Sequence, residues 1–319
     1  VSSILPLALI SWESEFIRAL ILVLTPTFLN ALIWSKAARF SKRQLIKIGP
    51  WPLIHADDLG LTKSINLAIL ELAKKGKIDS ASLLVNGSAV EDPVKIWAKE
   101  INLPLYLHFC LTEGPSLAPI NQVKDLVDEK GILKNSFSKL LLTSFLPKNS
   151  TRRKLLRQQI KIELLAQIER FETLTSSNSI YVDGHQHIQL IPIVLEVILE
   201  LHSSKKITWI RTTTEPFPTH IELKYWLEAI ANGGLVKWLL LQILSGLAKP
   251  QIKSAGLKTN SGFAGIFFSG RMTLPILLRS CIKLRAIPLD SKSGRTMVLA
   301  HPAASITQEE KEECLSNFP

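Results

Sequence analysis

From Trp51 onward, short apolar runs alternate along the chain with longer stretches whose apolar residues recur at helical spacing. Runs typical of buried strands occupy residues 52–56, 81–85, 103–109, 180–182, 207–210 and 296–299. Strand, loop and helix repeat in this order, which predicts parallel β/α units folded into a barrel-like α/β sheet.

The intervening stretches carry ordinary helix signals. Thr62 can cap a helix with apolar residues at helical spacing from Ile65 to Ala73, and Gly76 closes it. Arg153–Phe171 predicts a long amphipathic helix with one apolar face. Residues 235–248 are strongly apolar but too short to span a bilayer, which favours a buried or surface-seated helix.

Residues 1–49 differ from residues 50–319 in their pattern of apolar and polar residues, which predicts a separate N-terminal segment ahead of one barrel domain. Residues 19–35 are uncharged and mostly apolar, near the lower length limit of a membrane-spanning helix. Basic residues follow this run, which disfavours an export signal and would keep the rest of the chain cytoplasmic. The alternatives are a membrane-associated helix, a helix packed on the domain, or a non-native extension.

Composition narrows the class of protein. Hydrophobic residues make up 46% and charged residues 20% of the 319 residues, which excludes general disorder. The net charge of +11 predicts attraction to an anionic membrane surface or nucleic acid, but no nucleic-acid recognition motif is present, so we expect no nucleic-acid partner. Three scattered cysteines argue against a disulfide framework and favour a reduced, cytoplasmic location.

Polar residues capable of chemistry follow the ends of several predicted strands: Asp57, Asp58, His108, His185 and His301. Two adjacent carboxylates after an apolar strand are costly unless a cation compensates them, and a divalent metal would do so. One carboxylate with two imidazoles leaves open positions, as in a catalytic metal site. The second carboxylate is then available as a base towards the attacking water.

Each histidine also has a simpler interpretation. Taken alone, His108 could be a core histidine bonded to a backbone carbonyl, and His301 an ordinary residue at a strand end. His185 and His187 lie within five positions that begin at Asp183, so we expect one to bind metal and the other to support it or contact substrate. We expect structural or exposed roles for the remaining histidines, which are His55, His202 and His220.

Four ordered blocks then resemble a known family, the YdjC/ChbG-like carbohydrate deacetylases. The blocks are Leu53–Thr62 (LIHADDLGLT), Leu107–Gly114 (LHFCLTEG), Asp183–His187 (DGHQH) and the pair His301-Pro302. Residues 210–216 and 255–271 look like the branch associated with hopanoid biosynthesis, called HpnK. The resemblance covers residues 50–305 and leaves the N-terminal segment unexplained.

The resemblance implies a distorted (β/α) barrel that removes the acetyl group from an N-acetylated saccharide or glycolipid. It implies one divalent metal ion, Mg or Zn, held by Asp58, His108 and His185, with Asp57 as general base and His301 as candidate general acid. Substrate contacts would come from His187, Arg211 and Glu215. The hopanoid branch further implies an amphiphilic glycolipid and association with the inner face of the membrane, and the oligomeric state stays open.

Two alternatives remain at this level. One is a metal-dependent phosphoesterase on the same barrel, although the motifs lack a clustered Arg/Lys pair beside them. The other is a non-catalytic, membrane-associated sugar-binding homologue. Its only support is that the chain departs from the family pattern near His301, at residues 295–297 and at Ala303. The chain also departs from that pattern at Gln189.

Overall fold

The computed structural model describes residues 49–219, 221–287 and 294–302. Within these residues, seven parallel strands form one sheet with the order β5-β4-β3-β2-β1-β7-β6. The strands are β1 (Leu53–Leu59), β2 (Ser80–Leu83), β3 (Leu105–Phe109), β4 (Ile180–Gly184), β5 (Ile207–Ile210), β6 (Phe263–Ala264) and β7 (Met297–Ala300).

The sheet curls until its two edges meet through the chain that leads into β6. Lys258 forms a parallel bridge with Trp209 of β5, and Phe263 of β6 pairs with Met297 of β7. The chain from Lys258 to Phe263 therefore links β5 to β7, and the strands enclose an irregular interior. The predicted distorted (β/α) barrel is confirmed.

Helices cover the outside of the barrel and join successive strands. They are α1 (Lys63–Lys74), α2 (Glu91–Glu100), α3 (Phe137–Ser144), α4 (Thr151–Thr175), α5 (Pro192–Leu201), α6 (Leu223–Ala231), α7 (Gly234–Ser254) and α8 (Leu274–Arg285), with 3-10 turns at Ile120–Gln122 and His185–Leu190. Thr62 caps α1 as predicted, because its Oγ1 accepts the Ile65 N–H at 3.3 Å.

The long helix α4 buries the apolar face that its sequence predicts. Ile160, Leu164 and Ile168 have no solvent exposure, and Phe171 continues the same face at the last turns of the helix. This face packs against β3 and α5, so the periodicity alone identifies the surface that meets the barrel.

Alternation along the strands separates an apolar outer layer from a polar interior. In β3, Leu107 and Phe109 are buried on the side facing the helices, whereas Tyr106 and His108 face the interior and contact interior groups of β1 and β4. The N-terminal end of the interior is filled by aromatic rings, because Tyr106 packs 5.1 Å from Trp209 between ring centroids. Polar groups occupy the C-terminal half.

Two features differ from the sequence-based expectations. β1 runs through Leu59, so Asp57 and Asp58 belong to the strand itself and not to a loop after it. The short strand β6 and the helices α2, α3, α6 and α8 were not predicted, because each of them is too short to give a long periodic apolar pattern.

The described residues contain no single helix that is long and apolar enough to cross a bilayer. The pair α6 and α7, bent by 75° at their junction, satisfies the length and composition criteria only when taken together. The apolar run at residues 19–35, and the predicted N-terminal segment apart from Gly49, lie outside the described residues.

Gly87 gives a test of how tightly the loops after β1 and β2 pack. A Cβ at residue 87 would lie 2.2 Å from the carbonyl oxygen of Gly60, which is backbone and cannot rotate away. We expect Gly87→Ala to lower the free energy of unfolding by about 1–3 kcal/mol in a urea titration.

Gly246→Ala is the matched control. This glycine lies inside α7 with nothing within 4 Å of its would-be Cβ, so the same change should stabilise by about 0.5–1 kcal/mol through helix propensity. Equal effects at the two positions would contradict the packing described here.

Candidate functional site

Two adjacent carboxylates reach the same site because β1 is irregular at that point. Asp58 has a φ of 72°, and the pairing of β1 with β2 shifts register between Ala56 and Leu59. In a regular strand, Asp57 and Asp58 would face opposite sides of the sheet. The left-handed residue instead lets both carboxylates approach His108 of β3, and Asp58 also contacts His185 in the turn after β4.

Asp58, His108 and His185 form a buried cluster whose candidate ligand atoms all lie within 4.8 Å of one another. Asp58 Oδ1 lies 3.3 Å from Nε2 of His108 and 2.9 Å from Nδ1 of His185. The three residues come from β1, β3 and the turn after β4, as the sequence predicts. One carboxylate and two imidazoles are a donor set suited to a divalent cation.

Arg211 crosses the floor of this cluster. Its guanidinium donates to both oxygens of Asp57, at 2.7 and 2.8 Å, and lies 2.9 Å from Oδ2 of Asp183. Burial alone would raise the pKa of Asp57, but the charges of Arg211 and His108 hold that pKa well below its usual range. Asp57 is therefore ionised at neutral pH.

Negative charge exceeds fixed positive charge in this buried network. Four carboxylates with at most 3% exposure meet one fully buried guanidinium: Asp57, Asp58, Glu113, Asp183 and Arg211. Burial would lower the pKa of His108, yet Asp57 and Asp183 raise it to about 9. The same carboxylates that favour protons on the imidazoles would favour a metal cation in their place.

Three members of the network were not predicted as site residues: Asp183, Glu113 and His55. Nδ1 of His55 lies 2.7 Å from Oγ of Ser80, and Nε2 lies 2.7 Å from Oγ of Ser82, which donates to Asp183. His55 has no solvent exposure and lies 3.2 Å from Asp57. The spacing of two residues between His55 and Asp57, and between Ser80 and Ser82, is the sequence signal that could have revealed it.

The segment that carries His185 and His187 is not extended. It is a 3-10 turn in which Gln186 and His187 adopt left-handed backbone angles, with φ of 53° and 63°. His187 is buried, accepts a long 3.4 Å contact from Arg211 and packs edge-on against Phe263. Burial and the Arg211 charge hold its pKa well below the usual value, so it is neutral.

Arg211 and Glu215, which the resemblance places in contact with substrate, are both buried against protein groups. Glu215 accepts the backbone N–H groups of residues 265–267 at 2.8 to 3.1 Å and so fixes the chain after β6. These contacts favour positioning roles for both residues, and a direct contact with substrate stays a prediction.

His301 and Lys237 mark the side of the cluster that solvent reaches. Both side chains are exposed, and both interact electrostatically with Asp57 and Asp58. His301 follows β7, and Lys237 extends from α7 to within 3.2 Å of Oγ of Ser269.

Comparison with known proteins gives one family match and several relatives. The profile of the family described as YdjC-like protein matches residues 53–316. A carbohydrate deacetylase from Mus musculus is 31% identical over 185 residues, 56% of this chain and 55% of that protein. A chitooligosaccharide deacetylase from Escherichia fergusonii is 27% identical over 146 residues, 46% of this chain and 53% of that protein. The chain thus matches about half the length of these relatives.

A solved structure shows the same fold. It is that of a protein from Enterococcus faecalis V583, provisionally named for cellobiose-phosphate cleavage. The two structures superpose with a TM-score of 0.58 at 16% identity, over 85% of this chain and 86% of that one. At this level of identity the likeness supports the barrel architecture alone.

Arg211 is predicted to be indispensable for stability. Arg211→Met would leave the Asp57 and Asp183 carboxylates buried without their cation, which should cost about 3–5 kcal/mol in a denaturant titration. The matched control is Arg271→Met, since Arg271 forms an exposed pair with Glu228 at 3.0 Å and should cost about 1 kcal/mol or less. Comparable losses in the two variants would contradict the account of the network.

The raised pKa of Glu215 predicts that the stability of the protein depends on pH. Burial raises its pKa from 4.5 to about 7 despite the three backbone N–H groups, so the folded state holds this proton more tightly than the unfolded state. The stabilisation that protonated Glu215 contributes is complete below pH 4.5 and is lost as the pH rises to about 7. Relative to Glu215→Gln, the free energy of unfolding of the native protein should fall by about 3 kcal/mol over that range of pH. A pH-independent difference between the two proteins would refute the shift.

Proposed function

The chain belongs to the YdjC-like family, and we propose that it is a metal-dependent hydrolase that removes the acetyl group from an N-acetylated sugar. The observation that carries the proposal is the cluster of Asp58, His108 and His185 beside the ionised Asp57 at the C-terminal end of the barrel. Two relatives named as carbohydrate and chitooligosaccharide deacetylases support this class of substrate.

The donor set fits one divalent cation bound by Asp58, His108 and His185. Two imidazoles among three ligands favour zinc or another transition metal over magnesium, which prefers oxygen ligands. A cation held there would polarise the amide carbonyl and lower the pKa of the attacking water.

Asp57 is the proposed general base. Its carboxylate is held in place by the two hydrogen bonds from Arg211. It is already ionised, which is the form that a base needs in order to accept a proton from water. As the water oxygen bonds to the acetyl carbon, the C–N bond breaks, giving acetate and a free amine on the sugar.

His301 is the proposed group that delivers a proton to the departing nitrogen. It is solvent-exposed beside the cluster, whereas His187 is buried on Arg211. The proton that His301 delivers is the one that Asp57 takes from the attacking water, so the proton released in the attack is used at the leaving nitrogen.

We further propose that the sugar is carried on a lipid, as in the hopanoid-associated branch, and that the protein works at the cytoplasmic membrane surface. The support is the net charge of +11 and a set of exposed apolar side chains on α6 and α8. These are Leu223, Leu227, Leu274, Leu278 and Ile282. Cys110 and Cys281 are free thiols, in keeping with a reducing compartment.

The phosphoesterase alternative gains no support from the site. The arginine nearest the cluster, Arg211, has no exposure and is committed to Asp57 and Asp183. It is therefore not placed to bind a phosphate that enters from solvent.

Two substitutions separate the proposed roles. Asp57→Asn should reduce acetate release at least about 1,000-fold, because the base is lost, while the purified protein keeps its metal. His108→Ala should lose both metal and activity. The measurements are acetate release from N-acetylglucosaminyl sugars and a matching glycolipid, with metal content determined by elemental analysis.

Glu163→Gln serves as the control, since Glu163 is a buried carboxylate that accepts hydrogen bonds from residues 116–118 and Gln167 and has no proposed role in catalysis or metal binding. Acetate release that survives in both Asp57→Asn and His108→Ala would end the proposal. Release from soluble sugars at the same efficiency as from the glycolipid would end only the lipid-linked part.

A further inference from the structure

The two histidines of the cluster face Asp58 through different ring nitrogens. His108 presents Nε2 to Asp58 Oδ1 at 3.3 Å, whereas His185 presents Nδ1 to the same oxygen at 2.9 Å. In each ring, the other nitrogen points away from Asp58. What each of these outer nitrogens contacts decides which nitrogen is available to a metal.

Both outer nitrogens contact a buried carboxylate. Nδ1 of His108 lies 2.6 Å from Oδ1 of Asp183, which has no exposure. Nε2 of His185 contacts a carboxylate oxygen of Glu113, which is 3% exposed. A carboxylate that accepts an imidazole N–H fixes the tautomer, orients the ring and makes the opposite nitrogen a better ligand.

We propose that Glu113 and Asp183 are paired positioning residues, each holding one metal-binding histidine so that His108 ligates through Nε2 and His185 through Nδ1. This inference rests on the proposed metal site but not on the reaction carried out there. It assigns functions to two acidic residues that the motif-based site leaves out.

Asp183 belongs to a second buried group of possible metal ligands, separate from that of Asp58, but both of its oxygens have protein partners. Its Oδ2 accepts from Oγ of Ser82 at 2.5 Å and lies 2.9 Å from the Arg211 guanidinium, while Oδ1 faces His108. These contacts favour a positioning role for Asp183 over a role as a ligand of its own. Asp183 contacts both Arg211 and His108, so the position of the Arg211 guanidinium affects the orientation of the His108 ring.

Glu113 has the corresponding place on the other side. It lies four residues after Phe109, the last residue of β3, in a loop that Asn86 secures by donating from Nδ2 to the Glu113 backbone carbonyl at 3.0 Å. Glu113 is not among the residues whose ligand atoms converge with those of Asp58, His108 and His185. Its contact with the outer nitrogen of His185 favours an acceptor of the N–H over a fourth ligand.

The direct test is the tautomeric state of the histidines in the zinc-loaded native protein. Long-range proton–nitrogen correlation spectra of ¹⁵N-histidine-labelled protein, recorded with and without one equivalent of zinc, identify the nitrogens that bind. We expect two histidines to shift on zinc addition, one protonated at Nδ1 and the other at Nε2. Two zinc-shifted histidines of the same tautomer, or none that shifts, would overturn the inference.

Metal affinity supplies the second readout. Zinc competition with a chromophoric chelator should show binding about 10–100-fold weaker in Glu113→Ala and in Asp183→Ala, which remove the acceptor. Glu113→Gln and Asp183→Asn, which keep an acceptor oxygen, should recover part of the loss, and Glu163→Gln should bind zinc as the native protein does. Unchanged affinity in Glu113→Ala would also contradict the proposal.

These outcomes are independent of catalysis. A protein that binds zinc with two opposite histidine tautomers but releases no acetate would refute the deacetylase proposal and leave this inference standing. Acetate release with two histidines of one tautomer would do the reverse.

Discussion

The Arg211 guanidinium between Asp57 and Asp183 is the interaction on which the rest of the site depends. It neutralises part of a buried cluster of carboxylates that would otherwise be too costly to fold. It also fixes Asp57 as an ionised group and, through Asp183, orients His108. Asp57 lies in β1, Asp183 lies in β4 and Arg211 directly follows β5, so this network also links strands that are distant in sequence.

Much of the fold could be predicted from periodicity. Runs of apolar residues placed six of the seven strands of the described sheet, and the spacing of Leu156 to Phe171 identified the buried face of α4. β6 is two residues long and is held by pairing with β7, so no local pattern could have indicated it. The helices α6 and α8 carry apolar residues on exposed as well as buried faces, which obscures the periodic signal.

The sequence indicated that four of the residues lie close together, but not how they are connected. Motif order brought Asp57, Asp58, His108 and His185 together correctly as neighbours, although their roles remain proposals. The contacts of Arg211 and Glu113 arise between residues separated by up to 154 positions, and no local rule predicts them. The irregularity of β1 at Asp58 likewise depends on pairing with β2, so the sequence could not show that both aspartates face inward.

The central claim is that Asp58, His108 and His185 hold one divalent cation, and that this cation offsets the excess negative charge of the buried carboxylates. Anomalous diffraction at the zinc edge, measured on crystals grown with one equivalent of zinc, tests it most directly. The account predicts a single strong peak bounded by Asp58 Oδ1, His108 Nε2 and His185 Nδ1. A peak elsewhere in the barrel, or no peak in a fully folded protein, would contradict it.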